Sequence, residues 1–124
     1  MNDQRLWGVR GAAQAERNES EAILGATREL MGELMERNEL DAADFVSVIF
    51  TVTDDLNAQF PAVAARELGL DQVPLLCNRE MDVPGAMPRV IRVLAHYYGA
   101  PDREPDHVYI GETRKLRADL HSAQ

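Results

Sequence analysis

Pro88-Arg89-Val90-Ile91-Arg92-Val93-Leu94-Ala95-His96-Tyr97-Tyr98 decides the fold, because it reads two ways. Val90, Ile91, Leu94, Tyr97 and Tyr98 fit one face of a helix. The β-branched cluster of Val90, Ile91 and Val93, with Pro84-Gly85 as punctuation before it, favours a strand. The stretch also poses a chemical question. Arg92 lies inside an apolar run, and a desolvated guanidinium needs a counter-charge. Arg10 keeps similar company in Leu6-Trp7-Gly8-Val9-Arg10-Gly11-Ala12. In a strand it shares a face with Gly8 and Ala12, which leave room for something to approach. Two fixed guanidiniums among small and apolar neighbours point to a pocket for a small anion, and their fork geometry suits a carboxylate.

Outward from there, the chain punctuates clearly. Residues 5–14 alternate and predict a first strand. Asn18, with Glu21 three residues on, has the pattern of an N-cap and capping box. Ile23, Leu24, Thr27, Leu30, Met31, Leu34 and Met35 then share one helical face, while Glu29, Glu33, Glu36 and Arg37 lie opposite. Such a helix packs on something flat, a sheet. Phe45 to Val52 is a strand by its β-branched and aromatic content. Asp54 to Asn57 is a turn. Pro61 opens a short helix and Gly69 closes it. Gln72 to Leu76 predicts a third strand, Asp82 to Gly85 a loop, Pro101 to Pro105 another loop, and His107 to Ile110 the last strand. The order βαβαβββ gives an α/β domain, a mixed sheet with helices on one face. Its uncovered face or edges call for a homo-oligomer.

At 124 residues the chain is long enough for one domain, 1–124, with one core. A net charge of −8 argues against nucleic acid or an anionic membrane as partner. The local arginines therefore act against an unfavourable overall field. Cys77 is the only cysteine, so no intramolecular disulfide forms, which suits a cytoplasmic protein. No apolar stretch approaches the ~20 residues of a membrane span. Met1-Asn2-Asp3-Gln4 has no basic or apolar leader pattern.

Familiar catalytic signatures are absent: no glycine-rich phosphate loop, no GxSxG, no HExxH, no CxxC. His96, His107 and His121 have no metal-ligand spacing, so neither metal nor other cofactor is expected. Each remaining candidate also has an ordinary reading. Cys77 alone reads as a buried structural thiol. Arg10 could pair with a local acid, and Arg92 could sit in a buried salt bridge. Arg66 could be a solvated helix charge, Glu80 a loop carboxylate, and Tyr109 a strand aromatic with a surface hydroxyl. Their combination carries the functional reading.

That combination resembles the small, trimeric α/β class of chorismate mutase. The matching strings are Gly8-Val9-Arg10-Gly11-Ala12, Asp55-Leu56-Asn57-Ala58-Gln59-Phe60-Pro61-Ala62 and Ala65-Arg66-Glu67-Leu68. They continue through Val73-Pro74, Cys77-Asn78-Arg79-Glu80-Met81-Asp82-Val83, Ile91-Arg92-Val93, His107-Val108-Tyr109 and Leu116-Arg117-Ala118-Asp119-Leu120. Their order and spacing cover about residues 6–120, leaving 121–124 as a tail. The helical class of chorismate mutase does not resemble this chain.

The resemblance implies a strand over 88–98 and a homotrimeric pseudo-barrel with a site at each subunit interface. One side of each site would be Arg10, Glu80, Arg92, Tyr109 and Leu116. The neighbouring chain would supply Phe60, Ala62, Arg66 and Cys77. The substrate would be a small dianion, chorismate, rearranged to prephenate in phenylalanine and tyrosine biosynthesis. Arg92, Arg10, Glu80 and Tyr109 would be the catalytic set. Val63, where a lysine is familiar, and Leu76, where a threonine is common, depart from the pattern and bear on affinity. Two other readings compete: an imine/enamine deaminase of similar trimeric architecture, and a non-catalytic anion-binding trimer.

Overall fold

The computed structural model describes residues 3–116. The string from Arg117 to Leu120, His121 and the 121–124 tail lie outside them. The sheet strands are β1 (Arg5–Gln14), β2 (Phe45–Val52), β3 (Leu75–Arg79), β4 (Val90–Gly99) and β5 (Val108–Tyr109). Two α-helices join them, α1 (Ser20–Arg37) between β1 and β2, and α2 (Ala62–Glu67) between β2 and β3. The predicted order of strands and helices holds, and residues 90–99 are a strand.

The sheet order is β3-β2-β4-β1-β5. β4 runs antiparallel to both β1 and β2, whereas β2 and β3 are parallel, as are β1 and β5. The ambiguous stretch is thus the central strand, hydrogen-bonded on both edges. That placement explains the double reading. A central strand buries one face under helices, and its other face mixes Leu94 and Tyr98 with Arg92 and His96, which blurs the alternation. Ile91, Val93, Ala95 and Tyr97 take the core side and are buried.

The core lies between the sheet and the helices. Ile23, Leu30, Met31 and Leu34 of α1 pack with Val9, Val48, Phe50, Ile91 and Val93. Gly11 permits this approach. A β-carbon there would fall 2.6 Å from the Val108 carbonyl oxygen and 2.9 Å from Leu30 Cδ1. Only a residue without a side chain fits between α1, β1 and β5.

Three predicted details change. Asn18 does not cap α1. Glu19 holds that position and makes no side-chain capping bond. Asn18 instead reaches the 57–58 turn, accepting from the Asn57 and Ala58 N–H groups at 3.0 and 3.1 Å. A tertiary partner displaces the local one. The third strand begins three residues later than Gln72, because Leu70–Gln72 forms a 3₁₀ turn. Gly69 enters that turn at φ 100, a conformation glycine favours. His107 precedes β5 rather than joining it, and its Nδ1 accepts the Arg10 N–H at 3.0 Å. The last strand shortens to Val108–Tyr109.

Candidate active site

Alternation along paired strands brings the arginines together. Arg10 on β1 is opposite Leu94 on β4, and Arg92 on β4 is opposite Ala12 on β1 and Thr51 on β2. Both arginines therefore project from the face that α1 leaves open. They line a cleft of about 190 Å³ with Gly11, Ile49, Thr51, Val93, Leu94 and Tyr109. Tyr109 is buried in a small cluster with Ala12 and Val90, against which Leu116 packs. This cluster forms the apolar flank of the cleft.

Glu80 is fixed at the end of β3. Its N–H donates to the Val52 carbonyl at 2.7 Å, and its Oε2 accepts the Thr51 hydroxyl at 2.7 Å. Arg92 Nε lies 3.6 Å from that same oxygen. The counter-charge expected for Arg92 is thus Glu80. The side chain is less desolvated than its apolar run implies, 40% exposed, because it faces the open side of the sheet. At that exposure solvent screens the pair, and its contribution to stability is about 1 kcal/mol or less. Yet Arg92 Nε itself is buried and has no hydrogen-bond partner among the described residues. No carboxylate among the described residues pairs with Arg10, so the simple surface-pair reading does not apply to it.

The remaining candidates gather elsewhere. Cys77 pairs across the sheet with Phe50, a core residue, so its thiol faces away from Arg92. It lines a second cleft, about 330 Å³, with Phe60, Leu56, Asn57, Asn78 and Arg79. Phe60 is largely exposed at its mouth. Its position is set by the Asn18 brace on the 57–58 turn and by Gln59 Oε1, which accepts the Phe60 N–H at 2.8 Å. Ala62 and Arg66 sit on α2 beside Cys77. Burial pushes the Cys77 thiol above its ordinary value, while the Ala62 backbone and the Arg66 charge pull the other way more weakly. The thiol is therefore protonated at neutral pH.

The candidate residues thus fall into two groups on one chain. Arg10, Glu80, Arg92, Tyr109 and Leu116 are on the open face. Phe60, Ala62, Arg66 and Cys77 are at the β3 edge. Two residues escaped the sequence reading. Thr51 was absorbed into a strand, although alternation with Ile49 marks both as lying on one face. Asn18 carried a strong but local capping signal.

The family model described as chorismate mutase type I matches residues 6–120. Chorismate mutase AroH from Thermus thermophilus is 50% identical over 119 residues, 94% of this chain and 98% of that protein. Chorismate mutase AroH from Bacillus subtilis (strain 168) is 40% identical over 115 residues, 91% of each. A solved chorismate mutase from Clostridium thermocellum superposes with a TM-score of 0.84 at 40% identity, covering 89% of this chain and 99% of that one. These comparisons give no support to the deaminase or the non-catalytic reading. A mixed α/β chain with two arginines fixed on its open sheet face, matched from residue 6 to residue 120, belongs to the chorismate mutase type I family.

Proposed function

We propose that this protein converts chorismate to prephenate, a step in aromatic amino-acid biosynthesis, in sites shared between chains of a cytoplasmic homotrimer. The observation that carries the reading is the pairing of Arg10 and Arg92 in one cleft whose other walls are largely apolar. The cleft supplies fixed positive charge and hydrogen bonds, with no evident nucleophile or activated base. A [3,3] rearrangement requires neither. One C–O bond breaks as one C–C bond forms, with no covalent enzyme intermediate and no obligatory proton transfer.

The task is conformational and electrostatic. A flexible dianion must be held in its compact form, and charge that develops on the ether oxygen must be met. Arg92 is the cation at that oxygen. Its guanidinium is part-exposed to the cleft, and a donor fixed there is worth about 3–4 kcal/mol at a developing oxyanion. Arg10 grips the enolpyruvyl carboxylate through its planar fork, with the Tyr109 hydroxyl on the same group. Glu80 and the protonated Cys77 meet the ring hydroxyl. Phe60, Ala62 and Leu116 form the apolar wall, and Arg66 adds positive potential towards the ring carboxylate. Fixing both ends of the reacting framework can contribute up to ~7–11 kcal/mol in favourable intramolecular cases.

The separation of the two residue groups supports sites shared between chains. A cleft of about 190 Å³ is smaller than the ~300 Å³ at which small-molecule pockets usually begin, in keeping with a further wall supplied by a neighbouring chain. The open face offers the means of assembly. Leu76, Ile49 and Leu94 are register neighbours across it, and Leu6 and Tyr98 pair beyond them. Leu6, Leu76, Leu94 and Tyr98 are exposed in one chain. An apolar sheet face of that extent is covered in a stable protein.

Purified protein should consume chorismate, followed by its ultraviolet absorbance, with prephenate as sole product. No consumption by a correctly assembled protein would reject the reading.

A further inference from the structure

We infer that Thr51 is a positioning residue for the proposed mutase site: its hydroxyl holds Glu80 back from Arg92, keeping the guanidinium charge available to substrate. This rests on the mutase reading above. Three observations meet at one oxygen atom. Thr51 Oγ1 donates to Glu80 Oε2 at 2.7 Å. Arg92 Nε approaches the same Oε2 only to 3.6 Å, outside hydrogen-bonding distance. That Nε is buried and bonds to nothing among the described residues. Thr51 and Arg92 are direct cross-strand partners, so their side chains leave the sheet together on its open face.

A charged carboxylate and a guanidinium this close would ordinarily close to a bond of about 2.7–2.9 Å. Here the Thr51 hydroxyl orients the carboxylate and the Glu80 backbone is anchored to Val52, so Glu80 is held from two sides. The consequence is functional. A bonded Glu80–Arg92 pair would draw the guanidinium towards Glu80 and away from the cleft that Arg92 lines. With Thr51 holding Glu80, the exposed part of the guanidinium stays in the cleft, and Glu80 Oε1 is left to accept a substrate hydroxyl. Threonine suits this role because its methyl group favours the strand while its hydroxyl bonds locally.

The test is Thr51→Val, which keeps the β-branched shape and deletes the donor. Thr51→Ser restores the donor. Steady-state kinetics with chorismate should show kcat reduced about tenfold in Thr51→Val, equivalent to about 1.4 kcal/mol. KM should change much less, and Thr51→Ser should return kcat to near the wild-type value. In a Glu80→Ala background, Thr51→Val should add nothing, because there is no carboxylate left to restrain. Circular dichroism and thermal melts establish that each variant is folded. If wild type is active and Thr51→Val retains full kcat, the inference is wrong while the mutase reading stands. If the serine variant fails to rescue, or the valine effect persists in full without Glu80, Thr51 has only a packing role and the inference also fails. An inactive wild type overturns the underlying reading and the inference with it.

Discussion

Arg92 sits where three constraints intersect. Strand alternation puts it on the open face, the Thr51–Glu80 bond orients its counter-charge, and its buried Nε has no hydrogen-bond partner among the described residues. Arg92→Lys should not restore the function of Arg92→Ala, because an ammonium cannot reproduce a planar fork held at that point. Kinetics of the two variants check this, and full recovery with lysine would reduce the role to charge alone. Cys77 gives a prediction in pH. Burial raises its thiol above the ordinary 9.0, so the folded chain holds that proton when the unfolded chain has lost it. Stability is then fully present below pH 9 and declines as pH rises beyond it. Tyr97, also raised by burial from 10.0, adds the same sign at higher pH. Urea unfolding at pH 8 and pH 9.5 should show a steeper loss in wild type than in Cys77→Ser, and equal losses would contradict the assignment. At this scale the sequence revealed which residue types matter, since arginine within apolar runs is conspicuous. It did not reveal Thr51, an ordinary strand residue whose importance depends on the β2–β4 register.

At the scale of elements, close packing of α1 on β1 depends on Gly11. Gly11→Ala should destabilise the fold by about 1–3 kcal/mol, because backbone as well as the Leu30 side chain must move. Chemical denaturation measures this directly. Asn38 is a second point of dependence. It is buried at the end of α1, donates to the Leu34 and Asp106 carbonyls, and accepts the Asp106 N–H at 2.8 Å. Asn38→Leu leaves Asp106 groups without their partner and should cost about 1–3 kcal/mol. Most elements were legible because their signals are local: the periodic face of α1, the β-branched run of β2, Pro61 and Gly69 around α2. The readings that moved had non-local causes. Asn18 has a better partner in the 57–58 turn than in its own helix. Gln72 to Pro74 looks extended, but β3 begins only where Leu75 meets Val48. The 88–98 stretch stayed double because a central strand with apolar residues on both faces lacks the alternation that identifies an edge or half-exposed strand.

At the scale of the whole molecule, the proposed assembly of copies would join the two residue groups and cover the exposed apolar residues of the sheet face. Leu94→Glu, on the row shared with Ile49 and Leu76, should give folded monomers by light scattering and little chorismate turnover. A trimer that persists with full activity would place the interface elsewhere. Shared sites also predict complementation. Two impaired variants, Arg92→Ala and Phe60→Ala, should regain activity when unfolded and refolded together, because some interfaces then carry both native halves. The proposed division between chains rests on family resemblance, since no pattern within one chain states which of its surfaces face each other in another. Under the proposed function a fixed cation at position 92 drives a pericyclic rearrangement. The most direct measurement is kcat for chorismate with wild type and Arg92→Gln, on protein whose assembly is verified. The expected result is a fall of roughly 10²–10³-fold with assembly unchanged. A neutral residue 92 with wild-type kcat would contradict it.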